Sequence, residues 1–302
     1  MSAVDWVLLI ILAILWGGSF FFMAIALREL SPLTAVAWRI GIGAALLAVL
    51  SLVVRQRLRL DMNILLSFMV MGALNNVVPF AMIGWALRDI PSGLAAILNA
   101  TTPLFTVVVA HTATLDEKIT LPRCIGLLIG FAGVVVMVGR GALIDLNAPL
   151  SAQLMCLAAA FCYALAGVYG RRFRRLGITP IQTAAGQLMA STLLIVPLAV
   201  AVDCPCDLHL PSLAVSLAIL AVGALSTALA YVLYFRILSS AGATNLLLVT
   251  FLIPISAVGL GTIVLHEPVD INEIAGMALI GLGLASIDGR LFQFLRWKPA
   301  RP

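Results

Sequence analysis

From end to end the chain alternates long apolar runs with short polar breaks. The runs lie at 4–27, 33–54, 62–86, 92–113, 121–139, 150–170, 180–202, 210–235, 242–265 and 271–292. Each is long enough to cross about 30 Å of hydrocarbon as about 20 helical residues. In lipid the backbone must satisfy its own N–H and C=O groups, so each run is predicted as a helix. A membrane β-barrel would show segments of about ten residues alternating apolar and polar, whereas these runs are apolar all round. The pattern predicts an all-α membrane protein with ten transmembrane helices. The breaks between the third and fourth runs and between the eighth and ninth are short, which leaves those two boundaries the least sharply marked. The first run is too long for a cleavable signal peptide and no small-residue cleavage site follows it, so it is expected to stay as a signal anchor.

Composition agrees. Of 302 residues, 63% are hydrophobic and 10% charged. A soluble domain is about 45–50% apolar and about 25% charged. The basic residues add a direction. If the N-terminus is cytoplasmic, the inner segments carry Arg55, Arg57, Arg59, Lys118, Arg123, Arg171, Arg172, Arg174, Arg175, Arg236, Arg290, Arg296, Lys298 and Arg301. The outer loops then hold only Arg28, Arg88 and Arg140. The positive-inside rule therefore predicts both termini in the cytoplasm. Anionic inner-leaflet lipid accounts for the net charge of +5, so no nucleic-acid partner is expected.

The chain also repeats itself at an offset of about 150 residues. Gly126, Gly133 and Gly139 match Gly276, Gly283 and Gly289, and Glu117 matches Glu267. Pro103 matches Pro254 with a one-residue slip, and Ser31-Pro32 opens the second run as Thr179-Pro180 opens the seventh. The predicted organisation is a first five-helix repeat at 1–139, an outer linker at 140–149, a second repeat at 150–292 and a cytoplasmic tail at 293–302. Five spans is an odd number, so the second repeat must be inverted. Opposed halves of this kind suit a secondary transporter, because they can rock about one central site.

Several motifs carry a family resemblance over essentially the whole chain: Trp16-Gly17-Gly18-Ser19-Phe20, Arg39 seven residues after Pro32, and a proline, a glutamate and spaced glycines in each half. The last pattern runs Pro103, Glu117, Gly126, Gly133 and again Pro254, Glu267, Gly276, Gly283. The chain resembles the drug/metabolite transporter superfamily, EamA type. The resemblance implies a basket-like bundle in a bacterial inner membrane that exports small metabolites, with amino acids a common class. The YddG-like exporters of aromatic and other neutral amino acids are the nearest group it suggests. The small multidrug branch exchanges protons through a glutamate in its first span, where this chain has Trp16 and apolar neighbours.

Transporter sites lie near the bilayer midplane, on helices interrupted at matching positions. Pro103 and Pro254 are the candidate gates, since proline removes a donor and frees a carbonyl one turn back. A packing kink is the alternative. The candidate substrate-binding residues are Trp16, Ser19, Asn75, Asn76, Pro79, Asn99, Thr102, Tyr163, Thr227, Tyr231, Tyr234, Thr250 and Phe251. Ser92, Ala95, Asn99, Thr102 and Thr106 share a helical face that should point into the bundle. Asn75 and Asn76 sit at the centre of the third run and either bind substrate or bond to other helices. Amphipathic rings suit a cavity that passes neutral or zwitterionic solutes; ordinary packing explains them as well. Arg39, about two turns into the second span, is expected to form a structural ion pair with Glu267.

No Asp, Glu or His falls at mid-depth, so facilitated, uniport-like movement is expected. Phosphorylated solutes would need several deep basic residues. The alternatives are another neutral metabolite or an organic anion and, from another class, a membrane-embedded enzyme or a non-transporting scaffold. No Gly-x-Ser-x-Gly, His-Glu-x-x-His or phosphate loop supports an enzyme. No cofactor and no metal is expected. The glycines of the fifth and tenth spans permit close helix approach, within the chain or across a weak homodimer. Of the five cysteines, Cys124, Cys156 and Cys162 read as small apolar residues. Cys204-Pro205-Cys206 with His209 makes a weak metal motif.

Overall fold

A computed structural model describes residues 2–56, 61–113, 120–144, 149–203, 211–246 and 248–287. Glu117, the Cys204-Pro205-Cys206 loop with His209, residues 145–148 of the linker and the tail at 293–302 lie outside the described residues, as does the side chain of Phe251.

The described residues are helical, with no strand among them. The helices are α1 (Ala3–Ala26), α2 (Pro32–Val53), α3 (Met62–Gly72), α4 (Val78–Ala86), α5 (Ser92–Asn99), α6 (Thr102–Ala113), α7 (Leu121–Ile144), α8 (Leu150–Arg175), α9 (Pro180–Asp203), α10 (Leu213–Gly223), α11 (Ala230–Leu246), α12 (Val249–Leu265) and α13 (Ile271–Ile287). A π-helical segment at Ala73–Val77 joins α3 to α4, and one at Ala224–Leu229 joins α10 to α11.

Seven stretches among the described residues are long and apolar enough to cross a bilayer: Ala3–Ala26, Pro32–Val53, Met62–Ala86, Ser92–Ala113, Leu150–Arg175, Pro180–Asp203 and Leu213–Leu238. Three shorter apolar helices, Cys124–Val136, Leu252–Leu265 and Ile271–Ser286, fall at the fifth, ninth and tenth expected positions. A 17-residue helix such as α12 reaches only about 25 Å at 1.5 Å per residue.

Helices of the first half pack mainly on helices of the second. α2 lies on α9 and α7 on α13. α1 packs on α12 as α8 packs on α6, and α1 packs on α10 and α11 as α8 packs on α4. The pairing scheme is unchanged when the halves are exchanged. Lipid gives apolar helices little reason to associate, so close backbone approach has to hold such pairs. A Cβ on Gly283 would stand 2.5 Å from the Gly126 carbonyl oxygen and 2.7 Å from the Gly130 nitrogen. One on Gly133 would stand 2.8 Å from the Gly276 oxygen. These glycines are therefore used inside the chain, between α7 and α13.

At one end of the bundle, three carboxylates, Asp203 and Glu267 from the second half and Glu29 from the first, each cap a helix of the opposite half. Asp203 at the end of α9 accepts from the Thr34 amide and hydroxyl, both at 2.8 Å, at the start of α2. Glu29 accepts from the Ser212 amide at 2.7 Å, just before α10. Glu267 accepts from the Ser92 amide at 3.0 Å, the Ser92 hydroxyl at 2.8 Å and the Gly93 amide at 3.4 Å, at the start of α5. Free amides and the positive end of the helix dipole make such N-termini good carboxylate sites. Two local features aim Glu267. His266 adopts a left-handed φ of 56° and turns the chain back. Gly261 then leaves the space its carboxylate fills; a Cβ there would collide with Oε2.

Candidate functional site

The two π segments occupy matching places. Gly72-Ala73-Leu74-Asn75-Asn76 and Gly223-Ala224-Leu225-Ser226-Thr227 stand 151 residues apart. Each glycine admits a crossing helix. A Cβ on Gly72 would stand 2.9 Å from the Gln187 carbonyl oxygen of α9. One on Gly223 would stand 3.3 Å from the Arg39 carbonyl oxygen of α2. Arg39 and Gln187 thus hold corresponding positions, each seven residues after its span-opening proline, Pro32 or Pro180. A π turn widens the helix and breaks its regular ladder. In the first, Pro79 lacks the N–H that would bond to Asn75. In the second, the Thr227 hydroxyl fills the gap by donating to the Val222 carbonyl at 2.9 Å.

The widened turns aim their polar side chains at each other across the bundle. Asn75 Nδ2 donates to Gln187 Oε1 at 3.3 Å and to the Tyr231 hydroxyl at 3.1 Å. The Tyr231 hydroxyl stands 3.4 Å from Asn76 Oδ1, and Asn76 Nδ2 donates to the Ser191 hydroxyl at 3.1 Å. Arg39 Nε donates to the Thr227 hydroxyl at 3.3 Å. Its guanidinium carbon lies 3.7 Å from the centroid of Phe80. Phe80 meets Tyr163 edge-on at 6.5 Å, and Trp16 meets Tyr234 at 5.7 Å. The result is one polar and aromatic layer that joins both halves.

Of the residues singled out from sequence, Asn75, Asn76, Thr227 and Tyr231 meet in this layer. Tyr163 reaches it through Phe80, Trp16 and Tyr234 pair with each other, and Pro79 follows the first widened turn. Others do not join it through any described contact. The Ser19 hydroxyl bonds back to the Trp16 carbonyl at 2.6 Å. Thr102 and Thr106 bond back to the Asn99 and Thr102 carbonyls at 2.7 and 2.8 Å. These hydroxyls serve their own helices. Asn99 ends α5, its Oδ1 enclosed without a partner. Thr250 lies half-buried at the start of α12.

The two gating prolines differ in setting. Pro103 stands in the first turn of α6, after a break at Ala100 and Thr101, where its missing N–H costs nothing. Pro254 lies inside the unbroken α12.

The expected Arg39–Glu267 ion pair is not formed. Arg39 contacts Thr227 and Phe80 deep in the bundle, whereas Glu267 caps α5 at the bundle's end. Sequence reasoning missed Gln187, Ser191 and Phe80 altogether. The signal available for the first two was a pair of polar residues one helical turn apart in the middle of an apolar span. A crevice of about 610 Å³ between the end of α4 and the start of α8 is lined by Trp85, Arg88, Asp89, Ser151, Ala152 and Met155, none of them in the layer.

The Asn76–Ser191 bond is testable by a double-mutant cycle. Asn76→Ala and Ser191→Ala are expected to couple by about 1 kcal/mol in detergent unfolding, the usual range for a hydrogen bond between membrane helices. Strictly additive losses would show that the bond carries no energy.

Among the described residues the chain is a bundle of long apolar helices whose two halves share one polar layer, the architecture of a multi-pass membrane protein. Comparison with known proteins gives the family. The model of the EamA-like transporter family matches residues 5–139 and again 150–287. The chain belongs to this family, part of the drug/metabolite transporter superfamily. It is 26% identical over 277 residues to the uncharacterized transporter YoaV of Bacillus subtilis (strain 168), covering 91% of this chain and 94% of that one. It is 24% identical over 173 residues to a probable amino-acid metabolite efflux pump of Escherichia coli (strain K12), covering 57% and 55%. A crystal structure 19% identical in sequence superimposes with a TM-score of 0.68 over 98% of this chain and 100% of that one, a likeness of fold. The chain is a membrane transporter, not an enzyme.

Proposed function

We propose that this transporter exports small neutral or zwitterionic metabolites, amino acids first among them, by alternating access at the layer around Asn75, Asn76, Gln187, Thr227 and Tyr231. The observation that carries the reading is the direct bonding between halves at the two widened turns. A rocking motion of one half against the other has to make and break these contacts, and so exposes the layer to each side in turn. In this reading the chain has ten spans: the seven long ones and the three shorter apolar helices. They form two inverted repeats, 1–139 and 150–292, joined by an outer linker at 140–149 and followed by a cytoplasmic tail at 293–302. Both termini face the cytoplasm of a bacterial inner membrane. The end closed by Glu29, Asp203 and Glu267 then faces outward.

Movement is uniport-like. Among the described residues no carboxylate enters the layer, so it lacks the group that couples protons in many carriers. The probable efflux pump relative supports amino acids as the class. The test is efflux of a panel of radiolabelled amino acids from proteoliposomes holding the full chain. Expected is protein-dependent efflux of aromatic and other neutral amino acids with no imposed pH gradient. Efflux only when a pH gradient is imposed would overturn the uniport mechanism, and no efflux of any amino acid would overturn the substrate class.

A further inference from the structure

Arg39 is a permanent cation only 8% exposed, while its neighbour Trp38 is 58% exposed on the outside of the bundle. The guanidinium therefore points inward. Among the described residues no carboxylate contacts it. A charge in this setting is costly unless an opposite charge joins it, and an anion that reaches it gains far more than it would in water.

A guanidinium offers five N–H donors in a planar fork. Nε–H is used on Thr227, and the face of the fork rests on Phe80. The two terminal amino groups bond to no described residue, and neither is fully enclosed by protein. That free edge is the one that holds a carboxylate through two parallel hydrogen bonds. Thr227 and Phe80 fix its direction from two different helices.

The correspondence between the halves sets the charge of the ligand. Where α2 supplies Arg39, α9 supplies Gln187, a neutral amide already bonded to Asn75. Among the described residues the layer thus offers one positive charge, and it comes from one half only. A single carboxylate is matched; a phosphate or a dicarboxylate would leave negative charge unpaired.

We propose that Arg39 is the carboxylate-binding residue of the solute site, so that a carboxylate is required of the solute and an amino group is optional. The proposal rests on the reading of this layer as the transport site. It makes the preferred class aromatic or apolar monocarboxylates, of which amino acids are one kind.

The experiment measures thermal stabilisation of the purified full chain in detergent by three probes that share a ring and differ in head group: L-phenylalanine, 3-phenylpropionate and 2-phenylethylamine. The first two are expected to raise the unfolding temperature, and the amine is not. Arg39→Gln should lower the apparent affinity for both carboxylates by at least about tenfold, the loss of one charge-assisted contact. Arg39→Lys should keep part of it, since it retains the charge but not the fork. If Arg39→Gln does not fold, the three probes on the unaltered protein decide. Stabilisation by the amine equal to that by the carboxylates overturns the assignment, as does unchanged carboxylate affinity in Arg39→Gln or no response to any probe. Binding of 3-phenylpropionate without L-phenylalanine would sink the amino-acid reading and leave Arg39 in its role. Binding of L-phenylalanine unchanged in Arg39→Gln would do the reverse.

Discussion

Gly283→Leu is expected to abolish the folded protein, while Gly281→Leu, two residues away on the same helix, is expected to leave it intact. The two substitutions add the same side chain to α13. They differ only in face. A Cβ at position 283 would stand 2.5 Å from the Gly126 oxygen and 2.7 Å from the Gly130 nitrogen, both backbone atoms of α7. Backbone cannot rotate away as a side chain can, so the helices must separate. Position 281 has nothing within 4 Å of such a Cβ, and a leucine there meets lipid or open space. Overpacking a well-packed contact costs about 1–3 kcal/mol where neighbours can yield. Here they are main chain, and a whole leucine follows the Cβ, so the cost should exceed that range. α7 and α13 each lie chiefly against the other, so few other contacts would hold them. The check is the yield of monodisperse protein after detergent extraction, with the unfolding temperature of whatever survives. Equal yields for the two variants would show that this crossing is not needed for the fold.

The same comparison explains what was legible in the sequence. Gly126, Gly133, Gly276 and Gly283 recur at a fixed offset, and small residues have one dominant use in lipid, so their role could be read directly. Asn75 and Asn76 were legible because two adjacent amides in mid-span have to find partners. Which partners they find depends on the packing of α9 and α11, and no local pattern encodes that. Gln187 is a single amide whose one flag in the sequence is Ser191, a turn further on. Arg39 looked off-centre because its depth was counted along α2 alone. The helix that meets it there is the π-widened turn at Thr227, and the widening follows from ladder defects that an apolar run conceals. The polar stripe of the fourth span misled for the opposite reason. Its Thr102 and Thr106 hydroxyls look like site groups but bond to carbonyls of their own span. A hydroxyl can be satisfied by its own helix, whereas the amides of Asn75, Asn76 and Gln187, each with both donors and an acceptor to satisfy, reach across. Glu267 could be read as a carboxylate at a span end. Its partner could not, because the choice of α5 depends on the reversal at His266 and the space beside Gly261.

That capping arrangement carries the second large expectation. Removing Glu267 and Asp203 together, as Glu267→Ala with Asp203→Ala, is expected to open the end of the bundle they close. Each carboxylate belongs to one half and binds the helix start of the other, so the bonds have to break whenever the halves part at that end. Hydrogen bonds to a charged group contribute about 1.5–3 kcal/mol each, less where water competes, and the start of α2 and the start of α5 both lose their caps. An equilibrium shift of at least about tenfold toward the open form is a conservative expectation. Leu33, 0% exposed beside Thr34, reports on it. In a cysteine-free background, Leu33→Cys should react with a membrane-impermeant maleimide at least about tenfold faster when both carboxylates are gone. The third contact separates from these by pH. Bonding to Ser212 holds the Glu29 carboxyl below the ordinary glutamate range. A carboxyl lowered in this way contributes above its unfolded value, and the contribution is lost as pH falls through the lowered folded value. Glu29 should therefore stay bonded at neutral pH, and its contribution to the unfolding temperature of the double variant should be lost only as pH falls below the ordinary glutamate range. Labelling that is fast already in the unaltered chain, or no faster in the double variant, would mean that these carboxylates cap their helices without holding the halves together.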